Sequence, residues 1–274
     1  LPQVWCLAAI YPDVVDLRGF YAKPLGRVAR HLIGHQMRGV WPNVAGMTVA
    51  GFGYATPYLR PFLGEAARVL AIMPAEQGVV HWPLDGSGLV TLAEETHLPL
   101  PDESIDRLVL VHSVENSEAL RALLRQAWKV LAPGGRLLIV APNRHGFWAR
   151  RDKTPFGHGR PFTRMQLTDL LRGAMFTPTL WRSCLYVPPF GVRFFLRSAV
   201  AWERIGRVGG GRFAGVILVE AAKQMYASPP LAIEAKVRRR LAAPVGRLAT
   251  GNVTGNVTGR AGSATMPHTD HPTD

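Results

Sequence analysis

Residues 47–59 read Met47-Thr48-Val49-Ala50-Gly51-Phe52-Gly53-Tyr54-Ala55-Thr56-Pro57-Tyr58-Leu59. The run from Met47 to Ala50 is apolar and β-branched, the pattern of a strand buried on both faces. Gly51 and Gly53, one residue apart, let the backbone turn sharply and approach a ligand that a Cβ would repel. Thr56 is placed to cap a helix and Pro57 to sit in its first turn, so a helix is predicted from about Pro57 to Gly64. Strand, glycine turn and helix N-terminus in succession hold a nucleotide-like ligand at the edge of an open α/β sheet. The same succession also serves as a plain tight turn in α/β proteins, so its neighbours must decide.

Downstream, further strands are predicted at Ala67–Met73, Leu89–Leu92, Ile105–His112, Arg136–Ala141 and Phe213–Ala221, with a strand or irregular extension at Phe176–Tyr186. Leu120, Leu123, Leu124, Ala127 and Leu131 form one apolar stripe of a helix from Ser117 to Leu131. Pro133-Gly134-Gly135 should stop it with a glycine cap. Thr163 should cap a helix over 164–172, and Val192–Ile205 reads as an amphipathic helix flanked by arginine. Strands and helices alternate from Thr48 to Ala141, which argues a mainly parallel sheet with right-handed crossovers. Upstream, Asp16 to about Gly39 has helical spacing, bent or restarted at Pro24, and reads as a helix covering a sheet edge or a lid.

The chain of 274 residues is 47% hydrophobic, enough for a sizeable core, and carries a net charge of +13. That charge suits an anionic substrate, an anionic membrane or nucleic acid, although no arginine stretch has an RNP-like or helix-turn-helix pattern. Two cysteines, Cys6 and Cys184, make neither a disulfide framework nor a zinc cluster, so reducing, cytoplasmic conditions are expected and no metal site. Val4 to Tyr11 is apolar but lacks a preceding basic region, a poor match to a secretory signal. Three parts are expected: an N-terminal extension and helix at 1–40, the α/β domain at 41–227, and a disordered low-complexity tail at 228–274 with a tandem GNVT repeat.

Three blocks sharpen this outline: LPLPDESIDRLVLVHSVEN at 98–116, WKVLAPGGRLLIVAPN at 128–143 and MQLTDLLRGAMF at 165–176. With the glycine turn before them they resemble the class I S-adenosylmethionine-dependent methyltransferases, nearest to the type 11 group. The resemblance spans about Thr48 to Tyr226. It implies a doubly wound, mainly parallel seven-stranded sheet of Rossmann-like kind, S-adenosyl-L-methionine as cofactor, and methyl transfer to a small-molecule acceptor. Two departures stand out. Family members place an acidic residue just before the turn, where this chain has Val49 and Ala50. Their second strand ends in a ribose-binding Asp or Glu, where this chain has Met73, which cannot accept the ribose hydrogen bonds.

On that resemblance Gly51, Phe52, Gly53, Tyr54, Ala55 and Met73 are expected along the cofactor, with Glu94 and Glu95 near the adenine amine. His112, at the end of a strand, is the candidate catalytic base and a further cofactor contact. The basic, aromatic loop Pro142–Pro161 is expected to meet the acceptor, through Asn143, Arg144, His145, His158 and Arg160. The alternatives are a non-catalytic binding protein of the same fold, which the loss of the acid at Met73 favours, and an RNA-associated methyltransferase, which the net charge favours. A dinucleotide oxidoreductase rests on the glycine turn alone.

Overall fold

The computed structural model describes residues 11–208 and 211–225. Its strands are β1 (Thr48–Gly53), β2 (Arg68–Pro74), β3 (Val90–Ala93), β4 (Ile105–Val111), β5 (Leu131–Pro142), β6 (Phe176–Cys184) and β7 (Val216–Lys223). They form one seven-stranded sheet in the order β3-β2-β1-β4-β5-β7-β6. β1 pairs in parallel with both β2 and β4, β2 with β3, and β4 with β5. Only β7 runs against the rest, hydrogen-bonded between β5 and β6. The strand order reverses between β1 and β4, and the crevice beyond their carboxyl ends is where such sheets hold ligands.

Successive residues of each parallel strand face opposite layers. Val49, Ala71, Val109 and Leu138 point to the layer built by α1 (Val14–Ala22), α2 (Pro24–Val40) and α3 (Thr56–Leu59). Ala50, Phe52, Leu108, Leu110 and Ile139 point to the other, packed by α4 (Leu120–Val130) and α5 (Arg164–Gly173). Because both faces are covered, the central strands read as continuous apolar runs. The N-terminal helical region belongs to the first layer: Leu17, Ile33 and Met37 are buried there. Asp13 caps α1, and Lys23 separates it from α2, which restarts with Pro24 in its first turn. Thr163 caps α5 in a capping box with Gln166.

The helix of the second block is shorter than the sequence suggests, and glycine does not end it. It stops at Val130, and Leu131 is already extended and paired with Ile105 of β4. Leu131 is buried in the core, so the apolar stripe pulls the chain into the sheet before Gly134 is reached. Gly134, at φ 78°, instead turns inside the irregular start of β5. The expected helix after Pro57 runs only to Leu59 before a 3-10 turn at Arg60–Phe62. The amphipathic segment after β6 is two helices, α6 (Arg193–Arg197) and α7 (Ala199–Val208). By contacts the chain divides into units of 1–227 and 228–274, and the tandem repeat of the second lies outside the described residues.

Candidate functional site

At the crevice the glycine turn is fastened to β4. Gly53 sits at φ 84°, and a Cβ there would lie 2.1 Å from the Val111 carbonyl oxygen. The next amide, Tyr54 N–H, donates to that oxygen at 2.9 Å. Only glycine allows both the left-handed φ and the close approach. A Cβ on Gly51 would meet Ala55 Cβ at 2.5 Å and Leu59 at 2.8 Å, so this glycine lets α3 lie close on the strand. Phe52 faces the opposite layer, and Ala55 and Met73 are fully buried in the first.

A chain of polar groups crosses the crevice. Tyr21, from α1, stacks on Tyr54 at 5.6 Å between ring centroids. Its hydroxyl is 2.8 Å from the Tyr58 hydroxyl and 2.7 Å from His112 Nε2. His112 Nδ1 is 3.3 Å from Glu115 Oε1, and neither side chain is exposed. Burial, then the neighbouring Tyr58, raises the Tyr21 phenol well above its ordinary range, and burial raises that of Tyr58. Both stay neutral, so Tyr58 can donate to Tyr21 and Tyr21 to His112 Nε2, which leaves the imidazole proton on Nδ1, facing Glu115. Phe156 covers the histidine at 4.7 Å, with Trp148 behind it at 5.6 Å. The carboxylate oxygens of Glu115 and the Ser113 hydroxyl are buried without a hydrogen-bond partner, an arrangement that is costly unless a group uses it.

Two cavities flank this cluster and share Tyr11 as a wall. The smaller, about 250 Å³, lies past the ends of β2 and β3 between Pro74, Ala75, Glu76, Ala93, Glu94 and Glu95. Glu95 is engaged: it accepts from the Tyr11 hydroxyl, from Ser117 Oγ at 2.5 Å and from the Ala119 amide at 3.0 Å. Glu76 and Glu94 are exposed. The larger, about 740 Å³, lies between α1 and the loop after β5, against Asp16, Leu17, Phe20, Lys23, Lys153 and His158. A third cavity of about 780 Å³ is formed by α4 and α5, around Arg121, Arg125 and Trp128, away from the strand ends.

The acceptor-loop candidates divide. His158 lines the 740 Å³ cavity. Asn143 is buried and ties the end of β5 to the segment before β7 through the Ala214 carbonyl at 2.8 Å. Arg144 and His145 are exposed and outside the walls of the cavities. Arg160 is exposed, but its amide donates to the Glu115 carbonyl at 2.7 Å and holds the loop on the 112–116 turn. Sequence reasoning passed over Tyr11, Tyr21, Glu76 and Glu115. Tyr21 reads as one more apolar position of a helix, and only the fold brings it to His112. Glu76 carried a faint signal, an acid just beyond the Met73-Pro74 strand end where an acid was missing.

Residues 49–139 match the family model of a methyltransferase domain. A probable S-adenosylmethionine-dependent methyltransferase of Mycolicibacterium smegmatis is 33% identical over 139 residues, 48% of this chain and 52% of that protein. One of Mycobacterium tuberculosis is 34% identical over 117 residues, 40% of this chain and 41% of that protein. The chain thus spans about half the length of the curated relatives it matches. A SAM-dependent methyltransferase of Archaeoglobus fulgidus superposes with a TM-score of 0.49 at 17% identity, covering 71% of this chain and 94% of that one. The matched stretch runs from β1 into β5 and so forms the parallel half of a Rossmann-like sheet. Among the described residues no helix is long and apolar enough to cross a membrane.

Proposed function

We propose that the protein transfers a methyl group from S-adenosylmethionine to a small-molecule acceptor. The observation that carries this is the 250 Å³ cavity at the ends of β2 and β3, one strand over from β1 and its glycine turn. Pro74, Ala75 and Ala93 give it apolar surface for a flat base, and Glu76 and Glu94 offer free carboxylates to an exocyclic amine and ribose hydroxyls. Two acceptors beside an apolar wall fit the nucleoside half of the cofactor, whose amine and hydroxyls donate, with Glu76 serving where Met73 cannot. When bound, the cofactor supplies an electrophilic methyl group on a sulfonium.

The chain's own residues position and shield the partners. Gly53 keeps the turn flat against β4, and Tyr11 divides the nucleoside cavity from the larger one. The larger cavity, with Lys23, Lys153 and His158 facing Asp13, Asp16 and Asp152, is the acceptor pocket in this reading. His112 is the base: its Nε2 can take a proton, and the Glu115 carboxylate at 3.3 Å stabilises the charged ring. Because Tyr21 and Phe156 cover His112, α1 must shift for the acceptor to reach it.

One observation favours a second reading, a binding protein of this fold without turnover: Tyr54, the residue after Gly53, is stacked under Tyr21 and buried. Mass spectrometry of nucleosides released from the purified protein tests the proposal. S-adenosylmethionine or its demethylated product is expected, and a copurifying dinucleotide would contradict it.

A further inference from the structure

We infer that the face built by α6, α7 and the turn before β7 is a docking surface for an anionic lipid bilayer. The inference stands apart from the proposed activity and uses different residues. Among the described residues, seven of the fifteen exposed large hydrophobic side chains lie between positions 190 and 213. Scattered apolar residues on a surface need no explanation, but a concentration of this kind marks an interaction site.

α7 packs Ala199 and Trp202 on the core, yet its solvent side is apolar as well. An ordinary surface helix buries its apolar stripe and turns charge to water. Here Val200, Ile205 and Val208 face solvent at 56%, 67% and 91% exposure, while the helix's one acid, Glu203, is buried and accepts from the Tyr186 amide at 2.7 Å. In α6, Phe195 turns inward against Trp202 at 6.0 Å, and its neighbour Phe194 projects outward at 69% exposure. Beside them Phe213 stacks on Phe147 at 6.5 Å, both rings exposed.

The charge around this face selects the partner. Arg197, Arg204 and Arg150 are exposed, and Arg151 lies over the Phe190 ring at 4.6 Å. Between positions 144 and 204 the sequence carries eleven Lys and Arg against three Asp and Glu. Aliphatic side chains for the acyl boundary, with arginines at the level of the headgroups, are the composition of an interfacial helix on an anionic membrane. The exposed rings of Phe194 and Phe213 would serve a base as well as a lipid, but the outermost side chains of α7, Val200, Ile205 and Val208, are aliphatic and gain from an acyl boundary and not from base stacking, which favours a bilayer over single-stranded RNA. A two-fold contact with a second copy would bring Arg197 and Arg204 toward their own like charges. Gly191, at the edge of the patch, also lines the 740 Å³ cavity, so docking sets that cavity's wall at the lipid surface.

The test is sedimentation of the full chain with vesicles of phosphatidylcholine alone or mixed with phosphatidylglycerol. Binding to the mixed vesicles should be about tenfold tighter than to the neutral ones. Val200→Ser with Ile205→Ser and Val208→Ser should weaken it about tenfold while the melting temperature holds, because all three side chains face solvent. Arg197→Glu with Arg204→Glu should erase the preference for the anionic vesicles. Equal sedimentation of wild type and the serine variant would overturn the inference, since charge elsewhere would then be the attachment. Self-association by light scattering that the serine variant loses, without vesicle binding, would overturn it in favour of a second copy. Retention on single-stranded RNA but not on vesicles would overturn it too.

Discussion

The Tyr21 hydroxyl lies 2.7 Å from His112 Nε2 and so joins an N-terminal helix to the ligand-facing end of β4. Tyr58 completes the junction at 2.8 Å, and all three side chains are buried. Tyr21→Phe keeps the ring stack on Tyr54 but leaves a buried imidazole nitrogen and a phenol without their partner. It should cost about 1–3 kcal/mol, read as a lower midpoint in urea denaturation. An unchanged midpoint would mean the hydroxyl is not held as described.

The same cluster predicts an alkaline limit. Tyr11, Tyr21 and Tyr58 are all raised above the ordinary 10.0, chiefly by burial. Their neutral forms therefore stabilise the fold below pH 10, and that contribution is lost as pH rises from there toward the folded values. Absorbance at the phenolate band should show these tyrosines ionising only with unfolding. A smooth titration of every tyrosine near the ordinary value, with the fold intact, would refute the burial.

Gly53→Ala should be far more damaging than Gly64→Ala. At Gly53 the new methyl would lie 2.1 Å from a backbone carbonyl and the residue sits at φ 84°, whereas nothing lies within 4 Å at Gly64. A loss of at least about 2 kcal/mol is expected at the first position and under about 1 kcal/mol at the second. Thermal melts of the two variants make the comparison, and equal melts would sink it.

Met73→Asp would restore the acid that the sequence lacks, yet it should not restore a ribose contact. Met73 is fully buried against the first helical layer. A carboxylate there would be desolvated without a partner, so the variant should lose roughly 3 kcal/mol or more of stability. A stable variant with tighter cofactor binding would show that Met73 faces the cleft after all.

The central strands were legible because their composition and their environment agree: LVLV at 108–111 and LLIVA at 137–141 are apolar throughout, and both faces of β4 and β5 are covered there. The resemblance supplied the seven-stranded, doubly wound arrangement that periodicity alone could not. Element ends were less legible. Gly134 looks like a helix cap, but the pull of Leu131 into the sheet decides the boundary first. In the candidate site, the glycine turn was read from its own residues, whereas Glu94 and Glu95, which line the 250 Å³ cavity, were pointed to by the resemblance alone. Tyr21 and His112 are separated by 91 positions, so no local pattern links them. Asn143 and Arg144 adjoin a strand end in sequence, but the loop's own packing sends one inward and the other to solvent.

In the proposed function Glu76 and Glu94 frame a nucleoside site past the ends of β2 and β3. Calorimetric titration with S-adenosylhomocysteine tests it most directly. Saturable binding is expected of the wild type, weakened about tenfold by Glu76→Gln and by Glu94→Gln, each of which removes one charged hydrogen bond at an exposed position without disturbing the fold. No binding by the wild type, or binding that both substitutions leave untouched, would contradict it.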